Sequence, residues 1–245
     1  MSSQMVFKRY EMKYLITRQQ RDLIVKAMEP YMSLDEYGRS EIRNLYFDTE
    51  DFRLIRNSLE RPVYKEKLRL RSYGKADENS TAYLELKKKF EGIVYKRRIG
   101  MPYGQALECC EGKKSLPDSQ IGNELAYALS YYHFPKPKVF LAYEREAFYE
   151  RNGGDFRVTF DENIRYRRED LTLMSDSSGT ALLAKDQVLM ELKSSGSLPI
   201  WMARILSDLG IYKTSYSKYG SAYSQMLQNK LEGGNIYGKS VQRII

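Results

Sequence analysis

In Lys65-Glu66-Lys67-Leu68-Arg69-Leu70-Arg71 every second residue is a lysine or arginine, and two leucines stand between the last three cations. Strand side chains point alternately to the two faces, so this segment sets four cations on one face and an apolar stripe on the other. The pattern recurs. Tyr83-Leu84-Glu85-Leu86-Lys87 sets Glu85 and Lys87 against two leucines, and Leu189-Met190-Glu191-Leu192-Lys193 does the same with Glu191 and Lys193. Arg9, Glu11 and Lys13 share a face, as do Lys96 with Arg98, Tyr143 with Arg145, and Arg157 with Thr159 and Asp161. On a single strand this reads as the wet face of an ordinary antiparallel sheet. On nearly every strand it demands that all the apolar faces be covered on the side away from the charges. An α+β fold meets both demands: an eight-stranded antiparallel β-barrel with a charged interior and helices packed on its outside.

The rest of the chain fits that plan. Alternation predicts strands over Phe7 to Tyr14, Glu41 to Asp48, Val63 to Tyr73, Thr81 to Lys89, Ile93 to Ile99, Val139 to Tyr149, Phe156 to Phe160 and Val188 to Lys193. Tight hairpins are expected around Glu91-Gly92 and Asn152-Gly153-Gly154. Thr17 with Gln20 makes a capping box for a first helix, and further helices are expected near 104–111, 122–132, 199–209 and 217–231. Gly233-Gly234 reads as a stop, which gives one domain over 1–231 and a basic tail over 232–245. Ser194 to Ser197 reads as a connecting loop, Tyr131 to Phe134 as aromatics closing a helix, and Cys109-Cys110 as a buried helix face.

Charge narrows the partners. A net charge of +8 and a pI near 9.2 favour anions. Two cations roughly 6 Å apart repel by about 3 kcal/mol at an effective dielectric near 20, so a crowd of them makes sense once a polyanion fills it. The few carboxylates among them suit Mg²⁺ or Mn²⁺, which take one or two carboxylates plus phosphate oxygens. A nucleic-acid binder carries its cations on an exposed face with interleaved aromatics, so no specific nucleic acid is expected. Adjacent cysteines form no ordinary structural bridge, and one histidine, His133, leaves no usual zinc site or Ser-His-Asp set. There is no P-loop motif. Met1 to Lys8 lacks the apolar core of a signal peptide, and no apolar run nears the ~20 residues of a membrane span. A soluble, cytoplasmic phosphoryl-transfer enzyme is expected, since that chemistry needs alignment and charge stabilisation rather than a covalent nucleophile.

The motifs Arg9-Tyr10-Glu11-Met12-Lys13-Tyr14, Leu45-Tyr46-Phe47-Asp48-Thr49, Lys67 to Arg71, Leu84 to Lys87 and Val94 to Arg98 occur in a specific order. Tyr143-Glu144-Arg145, Arg157 to Asp161, Glu191-Leu192-Lys193 and Ser217-Lys218-Tyr219 follow. In this order and spacing the chain resembles the VTC domain of polyphosphate polymerases, within the triphosphate tunnel metalloenzyme superfamily, over roughly 5–225. The resemblance implies a tunnel that binds ATP at one end, passes the γ-phosphate to a growing inorganic polyphosphate chain and releases ADP. It implies catalytic, phosphate-holding roles for Lys13, Arg69, Arg71, Lys87, Lys96, Arg145 and Arg157. Tyr143, Ser217 and Lys218 become further substrate contacts, and Arg9, Lys67, Arg98 and Lys193 join them on the same faces. Glu191 becomes the ligand of Mn²⁺ or Mg²⁺, with Glu85 and Glu11 beside it. Arg9-x-Glu11-x-Lys13 stands where the wider superfamily carries Glu-x-Glu-x-Lys, which argues against its thiamine-triphosphatase and adenylate-cyclase branches. Ser215 stands where the family often carries a lysine, with Lys213 near by. A metal-dependent tripolyphosphatase or nucleoside triphosphatase, and a non-catalytic polyphosphate-binding module, remain alternatives on the same tunnel.

Overall fold

The computed structural model describes residues 10–60, 62–91 and 93–234. Its strands are β1 (Tyr10–Thr17), β2 (Met32–Asp48), β3 (Tyr64–Tyr73), β4 (Thr81–Phe90), β5 (Ile93–Pro102), β6 (Lys136–Glu150), β7 (Arg157–Arg167), β8 (Thr180–Ala181) and β9 (Gln187–Ser194). The helices are α1 (Arg18–Met28), α2 (Arg53–Leu59), α3 (Tyr103–Cys110), α4 (Gln120–Tyr131), α5 (Ile200–Asp208) and α6 (Lys218–Gly234). The strands form one antiparallel sheet in the order β1-β9-β7-β6-β2-β3-β4-β5, with β8 beside β7.

Local signals explain most of these boundaries. The capping box forms: Gln20 N donates to Thr17 Oγ1 at 3.1 Å, and Thr17 N donates to Gln20 Oε1 at 3.0 Å. Phe90 pairs with Ile93 across a turn in which Glu91 takes φ 47°. Two elements depart from expectation. β2 starts at Met32 rather than Glu41, because Met32 to Leu34 pair with Phe148 to Glu150 of β6 despite a charged, glycine-containing stretch that hides the period. The short helix α2 is capped from a distance. Asp48 accepts from Thr49 N, Leu54 N and Ile55 N at 2.8–3.0 Å, and Phe52 turns the chain with φ 59°.

The leucine faces lie where alternation puts them. Leu68, Leu70, Leu84 and Leu86 pack with Ala106 and Cys109 of α3 and with Leu125 and Leu129 of α4. Each fully buried leucine contributes about 1.5–3 kcal/mol relative to exposure. Tyr14, Ile16, Val158, Phe160, Met190 and Leu192 pack in the same way on Ile24 and Met28 of α1 and on Met202 and Leu206 of α5. Cys109 and Cys110 are buried free thiols.

The third cluster is different in kind. Tyr46, Leu141, Tyr143 and Leu189 have the same parity as the charged inner residues, and they pack on Tyr219, Ala222, Tyr223 and Met226 of α6. Helix α6 therefore lies against the concave face and floors one part of it. It runs through Gly233 to Gly234, past the expected stop; residues 235–245 and Arg9 lie outside the described residues.

Backbone hydrogen bonds do not close the sheet into a barrel: its path ends at β1 and β5, which do not pair among the described residues. The edge of β1 is occupied, since Thr214 N donates to Lys13 O at 2.7 Å. Side chains span the gap instead. Lys87 Nζ of β4 donates to Glu11 Oε2 of β1 at 2.9 Å, and Lys67 Nζ of β3 donates to Ser217 Oγ at 2.8 Å.

Candidate active site

The concave face carries its cations around buried carboxylates. Glu85 is 1% exposed and meets Arg69 at 2.6 Å, Lys96 at 2.8 Å, Arg98 at 3.5 Å and Arg71 at 3.9 Å. Glu191 meets Lys218, Lys193, Lys13 and Arg145 at 3.2, 3.4, 3.5 and 3.7 Å. Asp161, fully buried, accepts two hydrogen bonds from Arg145 at 2.5 and 2.6 Å and pairs with Lys218 at 2.5 Å. Glu11 pairs with Lys87 at 2.9 Å and Lys13 at 3.5 Å. Neutral groups hold the guanidiniums in place: Arg71 Nε donates to Asn44 Oδ1 at 3.0 Å, and Arg69 Nη1 to the Tyr46 hydroxyl at 3.1 Å.

These contacts set the protonation states. Burial opposes ionisation of Glu11, yet Lys87 and Lys13 bring its pKa down to about 2. Burial likewise opposes the charge on Glu85 and Glu191, and their cations hold both well below the usual carboxylate range. Burial disfavours the Lys218 ammonium, but Asp161 and Glu191 raise its pKa. Where burial and neighbouring cations outweigh the available negative charge the sign reverses. Burial and then Lys13 and Lys87 lower Lys67 to about 7, and burial lowers Lys96 to about 8 against the pull of Glu85. The site is an array of cations in excess of its carboxylates, in which burial and neighbouring cations lower the pKa of two lysines.

Most of the expected residues meet here. Lys13, Lys67, Arg69, Arg71, Lys87, Lys96, Arg98, Tyr143, Arg145, Lys193, Ser217 and Lys218 converge on the concave face with Glu11, Glu85 and Glu191. Arg157 is exposed at the start of β7, opposite Lys193 in register. Ser217 has a second task, accepting from Gly220 N at 3.1 Å at the start of α6. Asp161, Asn44 and Tyr46 were not among the expected site residues. Asp161 shares its face with Arg157 and Thr159, so strand parity carried the signal for it.

The VTC domain pattern matches residues 8–227, which spans β1 to most of α6. The chain belongs to the VTC domain family. It is 27% identical over 158 residues to subunit 4 of the vacuolar transporter chaperone complex of Schizosaccharomyces pombe, a stretch that is 55% of this chain and 22% of that protein. The VTC chain thus spans about a fifth of this relative's length. Among solved structures it resembles a candidate adenylate cyclase from Bacillus halodurans, with a TM-score of 0.54 and 16% identity over 86% of this chain and 94% of that one. A candidate adenylyl cyclase from Hippeastrum with a dominant triphosphatase activity gives a TM-score of 0.52 and 18% identity over 88% and 95%. At these identities the likeness is one of fold. No helix among the described residues is long and apolar enough to cross a membrane.

The donors present suit a hard cation. Among the described residues no group of three or more His, Cys, Asp or Glu is placed to hold a metal by itself. Yet Thr159 Oγ1, buried without a hydrogen-bond partner, belongs to the residue opposite Glu191 in the β7–β9 register. Glu191, that hydroxyl and Glu11 carry oxygens of the kind a hard divalent cation takes.

Proposed function

We propose that this VTC domain is an ATP-dependent polyphosphate polymerase, which transfers the γ-phosphate of ATP to a growing inorganic polyphosphate chain along the concave face. The observation that carries the reading is the cation array itself. Lysines and arginines from six of the strands and from α6 outnumber the carboxylates Glu11, Glu85, Asp161 and Glu191 around which they gather. A linear polyanion is the ligand that suits a line of cations, and the Lys87–Glu11 and Lys67–Ser217 contacts reach across the open side of the sheet along which it would lie.

Each group has a task in the transfer. Arg69, Arg71 and Lys96, positioned by Glu85, hold the phosphate oxygens of one reactant, while Lys13, Arg145, Lys193 and Lys218 around Glu191 hold those of the other. Their fixed charges stand where negative charge spreads in the transition state, which is the main need of phosphoryl transfer. A Mn²⁺ or Mg²⁺ ion held by Glu191, with Glu11 and Thr159 beside it, neutralises phosphate charge when bound. Lys67 and Lys96 take up protons as phosphate arrives, because the anion restores the charge balance they lack. Half-buried Lys87 and exposed Arg157 lie at positions that suit the advancing or leaving chain. The free, buried thiols of Cys109 and Cys110 accord with a reducing cytoplasmic compartment.

The purified chain incubated with ATP and Mn²⁺ should yield a long anionic polymer on a gel together with ADP. Free phosphate without polymer would make it a triphosphatase, and tripolyphosphate binding without turnover a binding module.

A further inference from the structure

Where β3 turns into β4, rings replace charges on the concave face. Tyr73 follows Arg71 by two residues and Tyr83 precedes Glu85 by two, so both keep the inward parity. Tyr73 is 51% exposed and meets Tyr83 edge to face, at 5.8 Å and 80°. The Arg98 guanidinium lies 3.5 Å above the Tyr83 ring and donates to the Tyr73 hydroxyl at 3.2 Å. Because Arg98 also reaches Glu85 at 3.5 Å, one side chain ties these rings to the phosphate-binding array. Gly100 stands opposite Tyr83 in register, and a Cβ there would lie 2.9 Å from Tyr83 Cε1. The ring can lie against β5 because that position has no side chain. A cavity of about 290 Å³ opens here, lined by Ser72, Tyr73, Lys75, Ser80, Thr81 and Tyr83 among others. The cavity of about 420 Å³ at the start of α6 differs, being lined by serines, glutamines, two leucines and a glycine.

An exposed π-face beside a cation-lined channel suits a nucleobase, since every base can stack on an aromatic ring and arginine adds to the attraction. We propose that Tyr73, held by Tyr83 and Arg98, is the platform on which the base of ATP stacks while its phosphates extend inward past Arg71 and Arg98. The proposal rests on the reading of the tunnel as an ATP site, and it fixes the end at which the nucleotide enters.

Calorimetry with two probes tests it: a non-hydrolysable ATP analogue and inorganic tripolyphosphate, each with Mn²⁺. Tyr73→Ala is expected to weaken the analogue about tenfold or more, the range of stacking lost on alanine substitution, and to leave tripolyphosphate within about twofold. Tyr73→Phe, which keeps the ring, is expected to bind both probes nearly as wild type does. Equal loss of both probes in Tyr73→Ala, or no loss of the analogue, overturns the platform while leaving the tunnel reading intact. A wild-type chain that binds neither probe overturns both.

Discussion

Replacing Glu85 by Gln keeps the side chain's shape and removes one negative charge from a position that is 1% exposed. Arg69, Lys96, Arg98 and Arg71, now 2.6, 2.8, 3.5 and 3.9 Å from the carboxylate, would then crowd around a neutral amide. Removing one partner of a buried ion pair costs about 3–5 kcal/mol, and the partial exposure of Lys96 and Arg98 places this case near the lower end, at about 3 kcal/mol. A chain of this size loses about 2–4 °C of Tm per kcal/mol, so Glu85→Gln without metal should melt about 6–12 °C below wild type. The pH dependence has a definite sign. The folded pKa of Glu85 lies below its ordinary 4.5, so its contribution is present above that value and fades as pH falls below it. The two melting curves should therefore converge on acidification. Tripolyphosphate brings back negative charge and should raise Tm more in the variant than in wild type. Thermal melts in chelator from pH 7 to pH 3, with and without tripolyphosphate, read all of this. An unchanged metal-free Tm combined with weakened Mn²⁺ binding would refute the reasoning, because Glu85 would then be a metal ligand rather than the counter-ion of four cations.

The Lys67 pKa of about 7 lies below its ordinary 10.5, so the unfolded chain binds more protons between these values and stability should rise with pH across that window. Lys67→Met should flatten the rise in a plot of Tm against pH, while weakening tripolyphosphate. Lys218→Met should lower Tm because Asp161 and Glu191 lose their shared cation, whereas the exposed Arg157→Ala should keep its Tm and weaken polyphosphate binding, more so at low salt. Asp48→Ala removes the cap of α2 and the acceptor of the Tyr219 hydroxyl at 2.9 Å. A loss of roughly 2–4 kcal/mol is expected, read as a fall in denaturation midpoint in urea.

The concave charge was legible because a strand has period two and because leucine-rich and cation-rich faces cannot both be wet. The same period correctly sent Leu68, Leu70, Leu84 and Leu86 outward to α3 and α4. It failed where structure depends on residues far apart in the chain. The helix Arg53–Leu59 is too short to show a period, and its caps Thr49 and Asp48 stand outside it, Asp48 being anchored by the distant Tyr219. Strand alternation also gives no hint that Thr214 bridges to Lys13 at the edge of β1. Nor does any pattern foretell that Lys218 is buried between Asp161 and Glu191, because a residue at a helix start has no parity to show which way it faces. Asp161 was on the right face yet absent from the expected site, since its bidentate pairing with Arg145 depends on the β6–β7 register.

Helix α6 carries a consequence for the order in which the protein is made. Its tyrosines floor the concave face, Tyr219 reaches back to Asp48, and Lys13 Nζ donates to Tyr216 O at 3.0 Å across 203 residues. Contacts of such sequence separation form late, after much of the chain has been made. During synthesis the arginines and lysines of β3 to β5 emerge long before Lys218 and the floor that α6 supplies. A ribosome-bound chain thus exposes a partly formed, strongly basic groove amid cellular nucleotides and RNA. Assembly of the working site waits for a helix made after every described strand that supplies it.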